Sequence, residues 1–218
     1  MFFRDRSEAG QRLGAQLTEF ASRDVLVLAL PRGGVPVGFE VARSLNAPMD
    51  VLVVRKLGAP GQEQFAMGAI AFGGVRFLNW DVIRALGVSQ QQIDFIVAKE
   101  ERELRRREQE YRGNRKQMEV HGRTVILVDD GLATGSTMLA AIAALRHEKP
   151  RQIVVAVPVA PPSTCAEIEK EADRVVCLYT PLEFLSVGQW YLNFSQTSDQ
   201  EVRELLDRAA ERMQRPVA

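Results

Sequence analysis

Val125-Ile126-Leu127-Val128-Asp129-Asp130-Gly131-Leu132-Ala133-Thr134-Gly135-Ser136-Thr137 decides how the rest of the chain is read. An unbroken apolar run that stops at turn chemistry is what a strand covered on both faces requires. Two carboxylates stand at its end, a loop bracketed by Gly131 and Gly135 follows, and a helical pattern runs from Thr134 to His147. In open parallel sheets, ligands bind beyond the carboxyl ends of the strands. Gly131 and Gly135 permit positive φ and close backbone approach, so successive N–H groups can turn onto a phosphate. Thr134, Ser136 and Thr137 add hydroxyl donors, and the helix dipole favours an anion. Asp129 and Asp130 supply acceptors for donors such as the vicinal hydroxyls of a ribose. A sugar carrying both a diol and a phosphate meets both halves of the stretch. Residues 131–137 hold no Lys and the chain has no G-x-G-x-x-G run, which removes the P-loop and the dinucleotide fingerprint.

Outward from that stretch the pattern repeats. Val25 to Leu30 is an apolar run ending in Pro31-Arg32-Gly33-Gly34, with a helical pattern from Val35 to Leu45 that places Pro36 near its first turn. Val51 to Val54 is a second apolar run, so the three form a βαβ unit. Residues 55–65 read as irregular, with Gly58, Pro60 and Gly61; Ala66 to Phe72 and Val75 to Leu78 flank Gly73-Gly74 as a hairpin. Ser89 to Arg112 reads as a long, mostly solvated helix, and the acidic residues around Arg105-Arg106-Arg107 cancel that basic cluster. Strands over 152–157 and 174–178 and helices over 163–172 and 199–213 complete an α/β class. It is a doubly wound, mostly parallel sheet of about five strands, with a flexible hairpin lid and a small C-terminal hood. One domain spans residues 1–218, with its core at about 20–180 and the hood at about 181–218.

Composition narrows the classes. Lys+Arg and Asp+Glu both number 28, which gives no reason to expect a nucleic-acid partner. Cys165 and Cys177 cannot form a disulfide framework and, with two His, make a poor metal inventory, so no metal site from the protein alone is expected. The charged start, Met1-Phe2-Phe3-Arg4-Asp5-Arg6, is unlike a signal peptide, and no apolar run spans a bilayer; the expectation is a cytoplasmic protein without a membrane partner.

The segment Val125 to Thr137 resembles the 5-phosphoribosyl 1-pyrophosphate (PRPP) signature of type I phosphoribosyltransferases, nearest in wording to adenine phosphoribosyltransferase-like members. Leu30 to Gly34 resembles that family's pyrophosphate loop, and Arg55-Lys56-Leu57-Gly58-Ala59-Pro60-Gly61 the opening of its flexible catalytic loop. Less specifically, Pro181 to Gly188 resembles the hood over the base in hypoxanthine-guanine-type enzymes.

The resemblance implies a transferase that moves ribose 5-phosphate from PRPP to a nucleobase-like acceptor and releases pyrophosphate, acting with Mg2+ carried by PRPP, as a homodimer. It implies that Asp129 and Asp130 hold the ribose hydroxyls, that Gly131, Ala133, Thr134, Gly135, Ser136 and Thr137 hold the 5-phosphate, and that Arg32, Gly33 and Gly34 hold pyrophosphate. A cis bond at Pro31–Arg32 is expected with that loop. Arg32 and Lys56 are the cations suited to a departing pyrophosphate, and Glu63 is a candidate proton acceptor. Phe184, Val187 and Trp190 are candidates to face the base, plain core packing being the other reading of these residues. Ala133 stands where hypoxanthine-guanine-type members carry a carboxylate, and no cation lies in 157–162, so the likeness stops short of a 6-oxopurine. Two functions remain open on these residues: the transferase, and a non-catalytic regulatory protein that senses PRPP or a nucleotide.

Overall fold

Five apolar runs become five parallel strands: β1 (Val25–Ala29), β2 (Met49–Val51), β6 (Thr124–Val128), β7 (Gln152–Val159) and β8 (Arg174–Tyr179), side by side in the order β2-β1-β6-β7-β8. The computed structural model describes residues 2–21, 24–71, 76–113, 115 and 118–214, apart from the side chains of 63–65, 76 and 77. β1 shows why the sequence runs apolar without alternation. Val25, Val27 and Ala29 pack on one face with α2 (Gly34–Ser44) and α7 (Asp199–Gln214). Leu26, Leu28 and Leu30 pack on the other with α5 (Ser136–His147) and α6 (Pro162–Ile168). Covered on both faces, β1 has no solvated side to ask for polar residues. The strand order reverses between β1 and β6, and that is where a crevice opens at the carboxyl ends of a doubly wound sheet.

Residues 55–65 are not the irregular stretch that the sequence pattern predicts. β3 (Val54–Ala59) and β4 (Gln62–Ala71) pair antiparallel, with Lys56 opposite Ala69 and a turn at Pro60-Gly61, and β5 (Arg76–Leu78) joins them. Leu57, Ala59, Met67 and Ile70 are buried beneath the hairpin. The glycine and proline are turn residues rather than marks of a long loop, and the register shifts on either side of Gly58. The predicted hairpin tip at Gly73-Gly74 lies outside the described residues. β2 stops at Val51, short of the predicted Val54, because the chain passes there to β3.

Two helices appear that the pattern does not predict. One is α3 (Trp80–Ala85), capped by Asn79; the other is α1 (Arg6–Ala15), capped by Asp5 accepting from the Glu8 N–H. α1 lies against α2 through two glycines. A Cβ on Gly10 would stand 2.6 Å from the Val37 carbonyl oxygen, and one on Gly14 would stand 2.7 Å from the Ser44 Cβ. Gly10 and Gly14 allow this close packing of the two helices. α4 (Gln90–Arg112) opens on a capping box at Ser89 and Gln92 and buries Ile93, Val97, Leu104 and Tyr111. α7 packs on α2, α4 and β2.

Candidate functional site

Asp129 and Asp130 stand at the carboxyl end of β6, on the crevice side of the strand-order reversal. The Asp129 carboxylate accepts the Asp130 N–H at 2.8 Å, so the two acids are locked into one turn. Removal from water and the neighbouring Asp130 carboxylate push the Asp129 carboxyl well above the ordinary range, against the pull of the Arg6 guanidinium. Arg6 Nε lies 2.8 Å from Asp130 Oδ2, and the Tyr191 hydroxyl donates to the Asp130 carbonyl. Burial and the nearby Asp130 raise the Tyr191 phenol, keeping it a neutral donor.

The loop after the acids is shaped by two close approaches. Gly131, at φ 155°, packs so tightly that a Cβ would lie 2.6 Å from a Val187 methyl. Gly135, at φ 71°, is the N-cap of α5 in the left-handed region, and a Cβ there would meet the Thr164 methyl at 2.9 Å. The Thr164 hydroxyl donates to the Ala133 carbonyl at 2.7 Å, pinning the loop from α6. Thr134 and Ser136 hydroxyls lie 3.0 Å apart at the mouth of α5, and the first-turn N–H groups of that helix have no intrahelical acceptor. Ala133, Thr134, Gly135, Ser136 and Thr137 therefore form an anion-attracting cup beside a pair of acceptors.

The loop after β1 meets this cup from the neighbouring strand. The Pro31–Arg32 peptide bond is cis, as expected. A Cβ on Gly33 would collide with the Asp130 carboxylate, and one on Gly34 would stand 2.8 Å from the Val128 carbonyl oxygen. Both glycines are thus required by the approach of the two strand ends, not by backbone angle. Arg32 Nη1 lies 3.6 Å from an Asp199 carboxylate oxygen at the start of α7, and Asp199 also accepts from the Tyr111 hydroxyl.

The remaining candidates lie farther out. Lys56 is an exposed residue of β3, and its neighbour Arg55 is paired with Glu100 of α4 at 2.6 Å. A cavity of about 790 Å³ opens between the hairpin and α4, lined by Lys56, Gly61, Gln91, Phe95 and Lys99 and reaching Thr137 of the cup. The Glu63 side chain lies outside the described residues. Val187 covers Gly131, while Trp190 packs against Phe2, Tyr179 and Phe184 with ring centroids 5.0–6.3 Å apart. Tyr179, Phe184 and Trp190 are left half-buried. Among the described residues no three His, Cys, Asp or Glu side chains gather around a metal position; the oxygen donors at hand are Asp129 and Asp130.

Arg6 is the residue that sequence reasoning misses. It comes from α1, 124 positions before Asp130, and no spacing rule joins them. The signal that exists is the Asp5 and Glu8 pair, three residues apart as in an N-terminal cap, which would have announced α1.

The phosphoribosyl transferase domain family matches residues 6–188. A protein of Mycobacterium tuberculosis (strain H37Rv) named "Putative phosphoribosyl transferase Rv0571c" is 49% identical over 207 residues, 95% of this chain and 47% of that protein. Its counterpart in strain CDC 1551 matches to the same extent, so the chain spans about half the length of the curated relatives it matches. The crystal structure of TT1426 from Thermus thermophilus superposes with a TM-score of 0.88 and 42% identity, over 94% of this chain and 98% of that one.

Proposed function

The chain belongs to the phosphoribosyl transferase family, and from that premise we propose that it transfers ribose 5-phosphate from PRPP to a nitrogenous base, with release of pyrophosphate. One observation carries the reading. The paired carboxylates, the cup at the start of α5 and the Gly33-Gly34 loop converge at the reversal of strand order, so acceptors for a diol and donors for two phosphate groups face one crevice.

In this reading Asp129 and Asp130 accept the ribose 2- and 3-hydroxyls. Gly131 and Ala133 to Thr137 donate to the 5-phosphate through backbone N–H groups and hydroxyls. Arg32, Gly33 and Gly34 receive pyrophosphate. Breaking the bond at the ribose C1 builds positive charge on the sugar and negative charge on the leaving group, so cations that strengthen their hold as pyrophosphate departs lower the barrier. Lys56 and Arg32 have that role. Arg32 must exchange its long contact with Asp199 for the ligand, a small loss for a half-exposed pair. Bound Mg2+ would supply further positive charge to the pyrophosphate oxygens. Glu63 is a proton acceptor for the base. Phe184, Val187 and Trp190 face the base, with Val187 packed over Gly131.

The test is incubation with PRPP, Mg2+ and a panel of nitrogenous bases, following pyrophosphate release. Base-dependent release is the expected result. PRPP binding without release for any base would favour a sensor, and no PRPP binding at all would remove the reading.

A further inference from the structure

Asp130 is held at two points, by a residue of the N-terminal helix and by one of the segment that precedes α7. Arg6 Nε of α1 reaches Asp130 Oδ2 at 2.8 Å, while Arg6 Nη1 donates to the Ser195 carbonyl at 2.7 Å. The Phe194 ring closes over the guanidinium, with Cζ 3.9 Å from its centroid. The second contact on Asp130 is the Tyr191 hydroxyl on its carbonyl. The side chains of Arg6 and Asp130 are only 11% and 14% exposed. Taking such a pair out of water costs about as much as the attraction returns, so stability alone is a weak reason for it to be there. The planar guanidinium is held by a carboxylate, a carbonyl and a ring face, which fixes it and with it the acid.

A second feature gives the arrangement a purpose. Two adjacent carboxylates repel, and left alone they take up a proton or a stray cation in place of a neutral ligand. Among the described residues, the charged and titratable groups that face Asp129 and Asp130 are each other, Arg6 from α1 and the Tyr191 phenol from the C-terminal segment. Arg32, on the loop after β1, is directed to Asp199. Among the described residues Arg6 is therefore the cation that offsets the acid pair, and it does so from the side of α1.

We propose that Arg6 is a positioning residue of the donor site, fixing Asp130 and offsetting its charge so that the acid pair presents its free oxygens to the hydroxyls of the ribose. The proposal rests on the PRPP reading above. It also makes the site conditional on the N-terminal helix being docked, because Arg6 is delivered by α1 and caged by Phe194 and Ser195.

The test uses the full chain with Arg6→Gln and Arg6→Lys, measuring Mg-PRPP affinity from pH 6 to 9 together with near-ultraviolet circular dichroism. Arg6 pulls the Asp129 carboxyl down, so its loss raises that group further, and binding that needs an ionised pair moves to higher pH. For Arg6→Gln the expected result is affinity lower by at least about tenfold at pH 7, with its pH midpoint shifted upward. Arg6→Lys restores the charge without the fork, so its midpoint should return towards that of the unaltered protein. Equal affinity and midpoint in a folded Arg6→Gln variant overturn the proposal and leave the PRPP reading standing. So does an equal loss in both variants with an unmoved midpoint, which a purely structural role would give. Failure of the unaltered chain to bind PRPP overturns the reading and the proposal together, and is seen before any variant is made.

Discussion

Asp129 and Asp130 were legible because everything that gives them meaning is local: an apolar strand, its end, a glycine loop and a helix start lie within thirteen consecutive residues. The partner of Asp130 was not, since Arg6 reaches it only through tertiary structure. The same contacts set how the pair titrates. Asp129 is raised in the folded protein, so the folded state binds a proton more readily than the unfolded chain. Its contribution is fully present below the unfolded carboxylate value of about 3.9 and is lost as pH rises through the raised one. Asp129→Asn should therefore raise the melting temperature of the free protein at pH 8 more than at pH 5, as scanning calorimetry would show. The same change should weaken Mg-PRPP binding by at least about tenfold, because an amide lacks the charge that strengthens a hydrogen bond from a hydroxyl. A variant both less stable at pH 8 and unaltered in binding would remove the strained-acid account of this position. Gly33 gives a second residue-scale expectation. Gly33→Ala places a methyl on the Asp130 carboxylate, and should abolish measurable PRPP binding while the fold, judged by circular dichroism, persists.

At the scale of elements, the alternation of the core strands with helices was readable because each carries its own period and its own stop signal. The β3–β4 hairpin was not: Gly58, Pro60 and Gly61 fall close together, and their density looks like a loop when only two of them make the turn. Pairing changes what to expect of dynamics. The amides of β3 that face β4 should be protected from hydrogen exchange without ligand, with fast exchange confined to the Pro60-Gly61 turn, instead of the whole of 57–65 being open. Leu57 is fully buried beneath the hairpin, so Leu57→Ala should cost about 2–5 kcal/mol in denaturant unfolding. If the hairpin moves over the crevice it must move as a unit about its ends, and Lys56→Ala should then lower turnover more than PRPP affinity. α4 carries a separate pH signal. Burial and the Asp50 charge raise the Glu108 carboxyl, burial being the larger cause, to about 7 against the opposing pull of Arg112 and Arg105. The stability it contributes is complete below about 4.5 and disappears as pH rises through about 7. Glu108→Gln should flatten that slope in unfolding curves taken between pH 5 and 8.

At the scale of the whole molecule, residues 3–4 and 190–193 form a structure that neither segment encodes alone. The Phe3 N–H donates to the Trp190 carbonyl at 2.8 Å, the Leu192 N–H returns to the Phe3 carbonyl at 2.8 Å, and the Asn193 N–H donates to the Arg4 carbonyl at 2.9 Å. Phe3 is fully buried, 5.4 Å from the Tyr191 ring, in a cluster with Ala9 and Val159. A pairing between residues so far apart leaves no periodic trace in either segment, which is why Met1 to Arg6 reads only as a charged start and residues 181–218 only as a small hood. Its consequence reaches the candidate site, because Tyr191 and Arg6, the two residues that hold Asp130, lie on the two paired segments. Phe3→Ala removes a large ring from a closed cluster and should cost about 3–5 kcal/mol, a large share of the roughly 5–15 kcal/mol that holds a domain folded. Loss of the ring should also loosen α1 from the C-terminal segment locally. PRPP affinity at 15 °C, where the variant is expected to remain folded, should then fall together with protection of the Leu192 and Asn193 amides, and saturating Mg-PRPP should restore that protection. Lost stability with unchanged affinity and unchanged protection would mean that the zipped ends support the fold alone and that the acid pair is held without them.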